Sequence, residues 1–330
     1  MSNHIETDLP RQVANYVPLS PIPFLARSAL VHQHCTSVIY AERRWTWSDT
    51  YKRCRRLASA LSKKGVGIGD TVSVMAPNIP ALFEAHFGVL MTGAVLNALN
   101  IRLESDTLSY ILEHAQTKVL LTDREFSKVI KKALSNVRQK IIVIDIDDPE
   151  IESGEFIGEV EYEAFLEDGD PEFESVLPQD DWQSISLNYT SGTTGRPKGV
   201  VYHSRGAYLL ATGNVLAWEM PHRPIYLWTL PMFHCNGWTF TWGVTAVGGS
   251  HVCLRSVDPE LIFKLIEEFK VSHMCGAPIV LNMLVHAPDE VKKKFKHLVQ
   301  IATGGAAPPS AVIASMEKLG FKVLHLYGLT

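Results

Sequence analysis

Two strand-length runs, Thr71–Ala76 (TVSVMA) and Lys140–Ile146 (KIIVIDI), are apolar almost from end to end. A strand with one face in water alternates apolar and polar residues, so runs like these belong to a sheet covered on both faces. The pattern around them switches to helices. Ser48 and Asp49 stand where caps would precede a helix carrying Leu57 and Leu61, and Pro80 opens an apolar helix reaching about Met91. Leu103–Ala115 and the stretch Phe126–Leu134 read as further helices, Lys118–Thr122 as a strand and Gly65–Asp70 as a turn. Strands alternating with helices imply parallel pairing, because a parallel connection needs a crossover of helix length. Residues 1–180 are therefore expected to form a doubly wound α/β subdomain.

The second half repeats the plan. Ser184–Tyr189 is a strand. Asp258 caps a helix that starts at Pro259 and gathers Leu261, Ile262, Leu265, Ile266 and Phe269 on one face. Val271–Cys275, Leu298–Ala302 and Lys322–Leu326 read as strands, and Ser310–Leu319 as a helix. A second α/β subdomain over 181–330 follows, and 330 residues are enough for both. Between the two, Asp147 to Asp181 holds 15 of the 35 acids and no Lys or Arg. It is expected to be a solvated surface excursion. The rest of the chain keeps all 31 Lys and Arg against 20 acids, a balance that suits a phosphate-bearing ligand and equally an ordinary solvated surface. No dense basic run marks a nucleic-acid binder. The five cysteines are odd in number and widely spaced, without a CxxC, which fits reduced thiols of a cytoplasmic protein better than a disulfide framework or zinc site. Met1–Pro10 has acids and no apolar centre, unlike a signal peptide, and no run of about 18 apolar residues reads as a membrane span.

Chemistry concentrates in four places. Directly after the strand comes Tyr189-Thr-Ser-Gly-Thr-Thr-Gly-Arg-Pro-Lys198-Gly199. Gly192, Gly195 and Gly199 free the backbone to approach a ligand. The hydroxyls of Thr190, Ser191, Thr193 and Thr194 can surround phosphate oxygens, and Lys198 adds a point charge. A Walker loop is excluded, since no Gly-Lys followed by Ser or Thr stands at the required spacing. The second place is Leu230-Pro-Met-Phe-His234-Cys-Asn-Gly-Trp238, an imidazole among aromatics. The third is Ala302-Thr-Gly304-Gly305-Ala306-Ala307-Pro308-Pro309, whose small residues let a planar ring lie against backbone. The fourth is Tyr327-Gly328-Leu329-Thr330.

In this order the four resemble the signatures of the adenylate-forming superfamily: acyl-CoA synthetases, luciferases and peptide-synthetase adenylation domains. The likeness runs from about Asn15 to Thr330. It implies the two α/β subdomains of that family's large N-terminal domain. By resemblance, the loop from Thr190 to Lys198 holds the β- and γ-phosphates of ATP, and Thr190 is the Mg²⁺ ligand. His234 is the catalytic candidate between carboxylate and α-phosphate, with Asn236, Gly237 and Trp238 completing an acyl pocket. Gly304, Gly305, Ala306 and Ala307 lie against adenine, Tyr327 packs on its ring beside Gly328, and Thr330 contacts the α-phosphate. The implied reaction joins a short or medium-chain carboxylic acid to CoA through acyl-AMP, using ATP and Mg²⁺.

The stretches Tyr226–Trp238 and His273–Asn282 are similar to ligases of the 3-methylmercaptopropionate–CoA type and to plant short-chain acyl and benzoate ligases. In the family a Glu that binds Mg²⁺ follows the position of Thr330, and the catalytic Lys of a small mobile C-terminal domain comes later. The 330 residues alone are thus expected to lack full activity and to expose apolar surface near Leu324–Leu329. A homodimer is expected for a full-length form. A non-catalytic remnant that binds nucleotide or a partner is the alternative, as is a peptide-synthetase adenylation domain.

Overall fold

The computed structural model describes residues 11–152, 154–190 and 195–330. In chain order the strands among them are β1 (Thr36–Tyr40), β2 (Arg43–Thr46), β3 (Thr71–Met75), β4 (Val95–Ala98), β5 (Thr117–Asp123), β6 (Ile142–Ile146) and β7 (Val160–Glu161). Then come β8 (Ser184–Thr190), β9 (Lys198–His203), β10 (Ile225–Leu227), β11 (Ser250–Val252), β12 (His273–Cys275), β13 (Val299–Thr303) and β14 (Phe321–His325). They form two seven-stranded sheets, ordered β7-β6-β5-β3-β4-β8-β9 and β14-β13-β12-β10-β11-β1-β2. Neighbours pair in parallel except at one edge of each sheet, where β8–β9 and β1–β2 are antiparallel. The expected two-sheet α/β fold is present.

The sheets do not divide the chain at residues 180/181. β1 pairs with β11 (Val38 opposite His251), so the first hairpin completes the second sheet. β8 pairs with β4 (Leu96 opposite Ser186), so the strand that enters the phosphate-loop motif belongs to the first. The chain therefore crosses between sheets before β3 and again before β10. The largest buried cluster draws on both sheets, with Val38, Val72, Leu96, Tyr226 and Trp228 in one continuous core. Helix Pro80–Gly88 lies in that core, and all its residues are buried, which explains why its sequence is apolar on every side. It stops at Gly88, short of the expected Met91, and a 3₁₀ turn covers Leu90–Thr92. Helix Trp47–Lys63 is capped by Thr46, whose hydroxyl accepts from the Asp49 N–H while Asp49 bonds back, so Ser48 lies inside the helix. Asp258 caps helix Pro259–Phe269 as expected.

The acidic stretch is not simply a solvated loop. It contains β7 and a helix, Tyr162–Glu167, whose Tyr162, Phe165 and Leu166 are buried. Its charges find cations from distant parts of the chain. Buried Asp148 is bonded by Tyr40, Arg43 and Arg255, and Arg53 bridges Glu84 and Glu163 at 2.5 and 2.7 Å. Arg255 also holds Asp123 (2.9 Å) and Glu125 (2.7 Å), tying the segment after β11 to the end of β5. A count of charges within the stretch misses partners that only the fold supplies.

Candidate active site

β4 and β8 lie side by side, and their C-terminal ends open on a cleft, where parallel sheets commonly bind ligands. Its walls include Asn97, Asn188, Tyr189, His234, Cys235 and Thr330. It encloses about 30 Å³, enough for water and too little for a nucleotide. Any larger ligand would have to extend onto the open rim.

The first motif is the connection of a hairpin, since Thr190 stands opposite Lys198 across β8 and β9. Ser191, Gly192, Thr193 and Thr194 lie outside the described residues. Gly195 has φ +96° with open space around it, so its glycine is required by conformation. At Gly199 a Cβ would stand 2.9 Å from the end of the Leu187 side chain, which would have to shift. The Tyr189 hydroxyl is 2.7 Å from His114 Nδ1, and the Arg196 guanidinium lies 5.5 Å from the centre of the Tyr110 ring. Both anchors come from helix Ser105–His114. Lys198 is exposed.

The second motif carries the unusual backbone. Asn78, buried before helix Pro80–Gly88, donates to the carbonyls of Trp228 (2.8 Å) and Leu230 (2.9 Å) and accepts from Met232 N–H (2.7 Å). This clamp leads into His234, whose side chain reaches solvent. Partial burial lowers the His234 pKa, which favours the neutral imidazole. Cys235, Asn236, Gly237, Trp238 and Thr239 then all take positive φ, a left-handed turn costing about 1–2 kcal/mol at each non-glycine residue.

Asn236 and Gly237 do not line the cleft, contrary to expectation. Asn236 is fully buried and bonded to Ser186 and Asn188 of β8 and to His86. At Gly237 a Cβ would lie 2.6 Å from the buried Trp228 ring, so the ring requires the glycine. Trp228 is itself fixed, its Nε1–H donating to His251 Nδ1 at 3.1 Å. Trp238 is half-buried, and a Cβ at Gly304 would meet its ring at 3.2 Å. The second and third motifs therefore touch.

The third and fourth motifs leave adjacent strands, β13 and β14, and Leu326 N–H donates to Thr303 C=O at 2.9 Å. Gly305, Ala306, Ala307, Tyr327 and Gly328 line up as an exposed rim, with Tyr327 87% exposed. Gly304 is buried beneath it. Thr330 turns inward, its Oγ1 3.0 Å from Cys235 Sγ. The fold thus gathers Tyr189, His234 and Thr330 in one cleft and places Trp238 on Gly304. Asn78, His86, Asn97, Asn188 and Cys235 carry structural or lining roles that the sequence reading did not assign. Asn97 and Asn188 had one available signal, their position at the ends of adjacent parallel strands.

No group of three or more His, Cys, Asp or Glu among the described residues could hold a metal. The Thr190 hydroxyl, at the end of β8, suits a hard cation carried by phosphate oxygens and water, the coordination Mg²⁺ prefers.

The profile of the AMP-binding enzyme family matches residues 25–330. The chain belongs to the AMP-binding enzyme family. This member is 48% identical to the acetate–CoA ligase CCL3 of Humulus lupulus and to the peroxisomal acetate/butyrate–CoA ligase AAE7 of Arabidopsis thaliana, in each case over 98% of its own length. It spans 59% of the length of either relative. The crystal structure of the anthranilate CoA ligase AuaEII with anthranoyl-AMP superposes with a TM-score of 0.86 at 21% identity, covering 98% of this chain and 61% of that one. That likeness establishes the fold. Among the described residues no helix is long and apolar enough to cross a membrane. The word peroxisomal in relatives' names does not fit a plain cytoplasmic expectation.

Proposed function

We propose that this AMP-binding enzyme is the nucleotide- and acid-binding part of an acid–thiol ligase that makes acyl-CoA through acyl-AMP. The observation that carries the reading is the convergence of four separated motifs on one cleft and its rim, in a chain 48% identical to named acetate and acetate/butyrate ligases. In the first step a carboxylate oxygen attacks the α-phosphorus of ATP and pyrophosphate leaves. In the second the CoA thiol attacks the acyl carbonyl, AMP leaves and the thiol proton passes to water or base.

Neither step needs a protein nucleophile; both need reactants held in place and phosphate charge offset. The loop flanked by Thr190 and Lys198 would hold the outer phosphates, with Ser191, Gly192, Thr193, Thr194 and Gly195 between them. Mg²⁺ would ride on those phosphates beside Thr190, offsetting their charge. Adenine would rest on the rim of Gly305, Ala306 and Ala307, covered by Tyr327 and Gly328. In its neutral form His234 can donate one ring N–H to a carboxylate or α-phosphate oxygen without adding charge, and Thr330 offers a hydroxyl beside it. Trp238 packed on Gly304 would wall the acid side, which favours a short or compact acid. The relatives' names make a peroxisomal location as reasonable as the cytoplasm.

The test uses the complete gene product with ATP, Mg²⁺ and CoA. Acetate, butyrate and benzoate are each supplied and AMP is measured. AMP formation that requires both acid and CoA supports the reading. Failure with every acid by folded protein contradicts it.

A further inference from the structure

The left-handed turn from Cys235 to Thr239 is a conformation that only its surroundings can maintain. One side chain in it has hydrogen-bond partners at both of its polar atoms. Asn236 Oδ1 accepts from Ser186 Oγ (2.5 Å) and Asn188 Nδ2 (2.6 Å), and Asn236 Nδ2 lies 3.2 Å from His86 Nε2. Chemistry fixes which atom is which. His86 Nδ1 is 2.7 Å from the Leu82 carbonyl, which can only accept, so Nδ1 carries the proton and Nε2 is an acceptor. Nε2 therefore faces the Asn236 amide NH₂, which leaves Oδ1 for the two donors of β8. Burial keeps His86 neutral, in agreement with this arrangement.

The turn's neighbours reach the ligand side. His234 and Cys235 line the cleft, and Trp238 packs on Gly304. We infer that Asn236 is a positioning residue: it holds the turn from beneath, from β8 and helix Pro80–Gly88 together, so that His234 and Trp238 stand at the acid side of the cleft. The inference rests on the acyl-adenylating reading above for its catalytic consequence, though not for the conformational one.

The experiment compares Asn236→Ala and Asn236→Asp with Ser37→Ala in the complete protein. Ser37 is a buried hydroxyl bonded to Thr50 and Trp45 C=O, outside the cleft, and serves as the control for destabilisation. Asp, held protonated by burial, keeps a carbonyl acceptor for Ser186 and Asn188 and one O–H to donate to His86 but loses the amide's geometry, so it should fall between parent and Ala.

The first readout is the N-ethylmaleimide reaction rate at Cys235, resolved by peptide mass. Buried Cys54, Cys253 and Cys275 report whether each variant is folded. In Asn236→Ala the Cys235 rate should rise about 10-fold over both the parent and Ser37→Ala. The second readout is kinetic: kcat/KM for the acid should fall about 30-fold or more while KM for ATP stays within about 2-fold. An unchanged Cys235 rate overturns the inference, as does a kinetic loss no larger than that of Ser37→Ala. If Asn236→Ala does not fold, the same comparisons are decided on Asn236→Asp. If the unsubstituted protein makes no AMP with any acid, the functional reading fails, and the Cys235 rate alone still decides whether Asn236 holds the turn.

Discussion

Asn78 bonds three backbone groups of the segment that leads into His234, and a methyl group would leave all three buried without partners. Each such group costs about 1–3 kcal/mol, so Asn78→Ala should lower stability by roughly 2–4 kcal/mol after local relaxation, read as a lower urea midpoint. Gly237 makes a different demand. Its positive φ is tolerable for Ala at modest cost, but the 2.6 Å approach to a ring already fixed by His251 is not. Gly237→Ala should therefore cost about 1–3 kcal/mol or displace Trp228, visible as a change in tryptophan fluorescence. His234 contrasts with both. Its ring reaches solvent, so His234→Ala should leave the melting temperature nearly unchanged while lowering acid-dependent kcat/KM roughly 10²-fold. An equal fall in stability and activity would mean that the ring packs rather than acts.

At the scale of elements, what could be read in advance depended on length and pattern. Helix Pro259–Phe269 announced itself through an N-cap, a proline and a full apolar stripe. Strands β3 and β6 did so through runs that are mostly apolar. The three-residue strands β10 and β11 have too few residues to show any period, although they stand at the centre of the second sheet. The β1–β2 hairpin was missed because its partner, β11, lies more than 200 residues away. The motifs of the site were legible as strings, and their convergence was legible only by resemblance. The left-handed turn was not legible at all, since its cause is a ring at 228 and amides on β8 and at 78. The acidic stretch gives the element-scale prediction. Phe165→Ala should cost about 3–5 kcal/mol in urea unfolding, because Phe165 is 3% exposed in the main core. A loss below about 0.5 kcal/mol is what a solvated loop would show.

For the whole molecule, three buried histidines tie stability to pH. Burial depresses the pKa of His86 to about 4, of His251 to about 3 and of His273 to about 4. In the unfolded chain each returns to about 6.5 and takes up a proton that the folded state refuses. Their contribution is therefore complete above about pH 6.5 and is lost progressively as pH falls toward 4. Burial raises the carboxyl pKa of Asp123 and Asp145, which works in the opposite direction in the more acidic carboxylate range. The melting temperature should be flat above about pH 7 and fall between about pH 6.5 and 5, with a shallower slope in His251→Gln. A melting temperature that stays level through that window would show that these rings are not held neutral.

The same two-sheet core carries the central claim, that four motifs distant in sequence make one acyl-adenylating cleft. Acid-dependent exchange of labelled pyrophosphate into ATP, measured on the complete protein without CoA, tests it most directly because the exchange requires reversible acyl-AMP formation. The account predicts exchange with at least one of acetate, butyrate and benzoate, none without acid, and a fall of roughly 10²-fold in His234→Ala. Exchange that ignores the acid, or CoA-dependent AMP formation with no exchange under any condition, would contradict it.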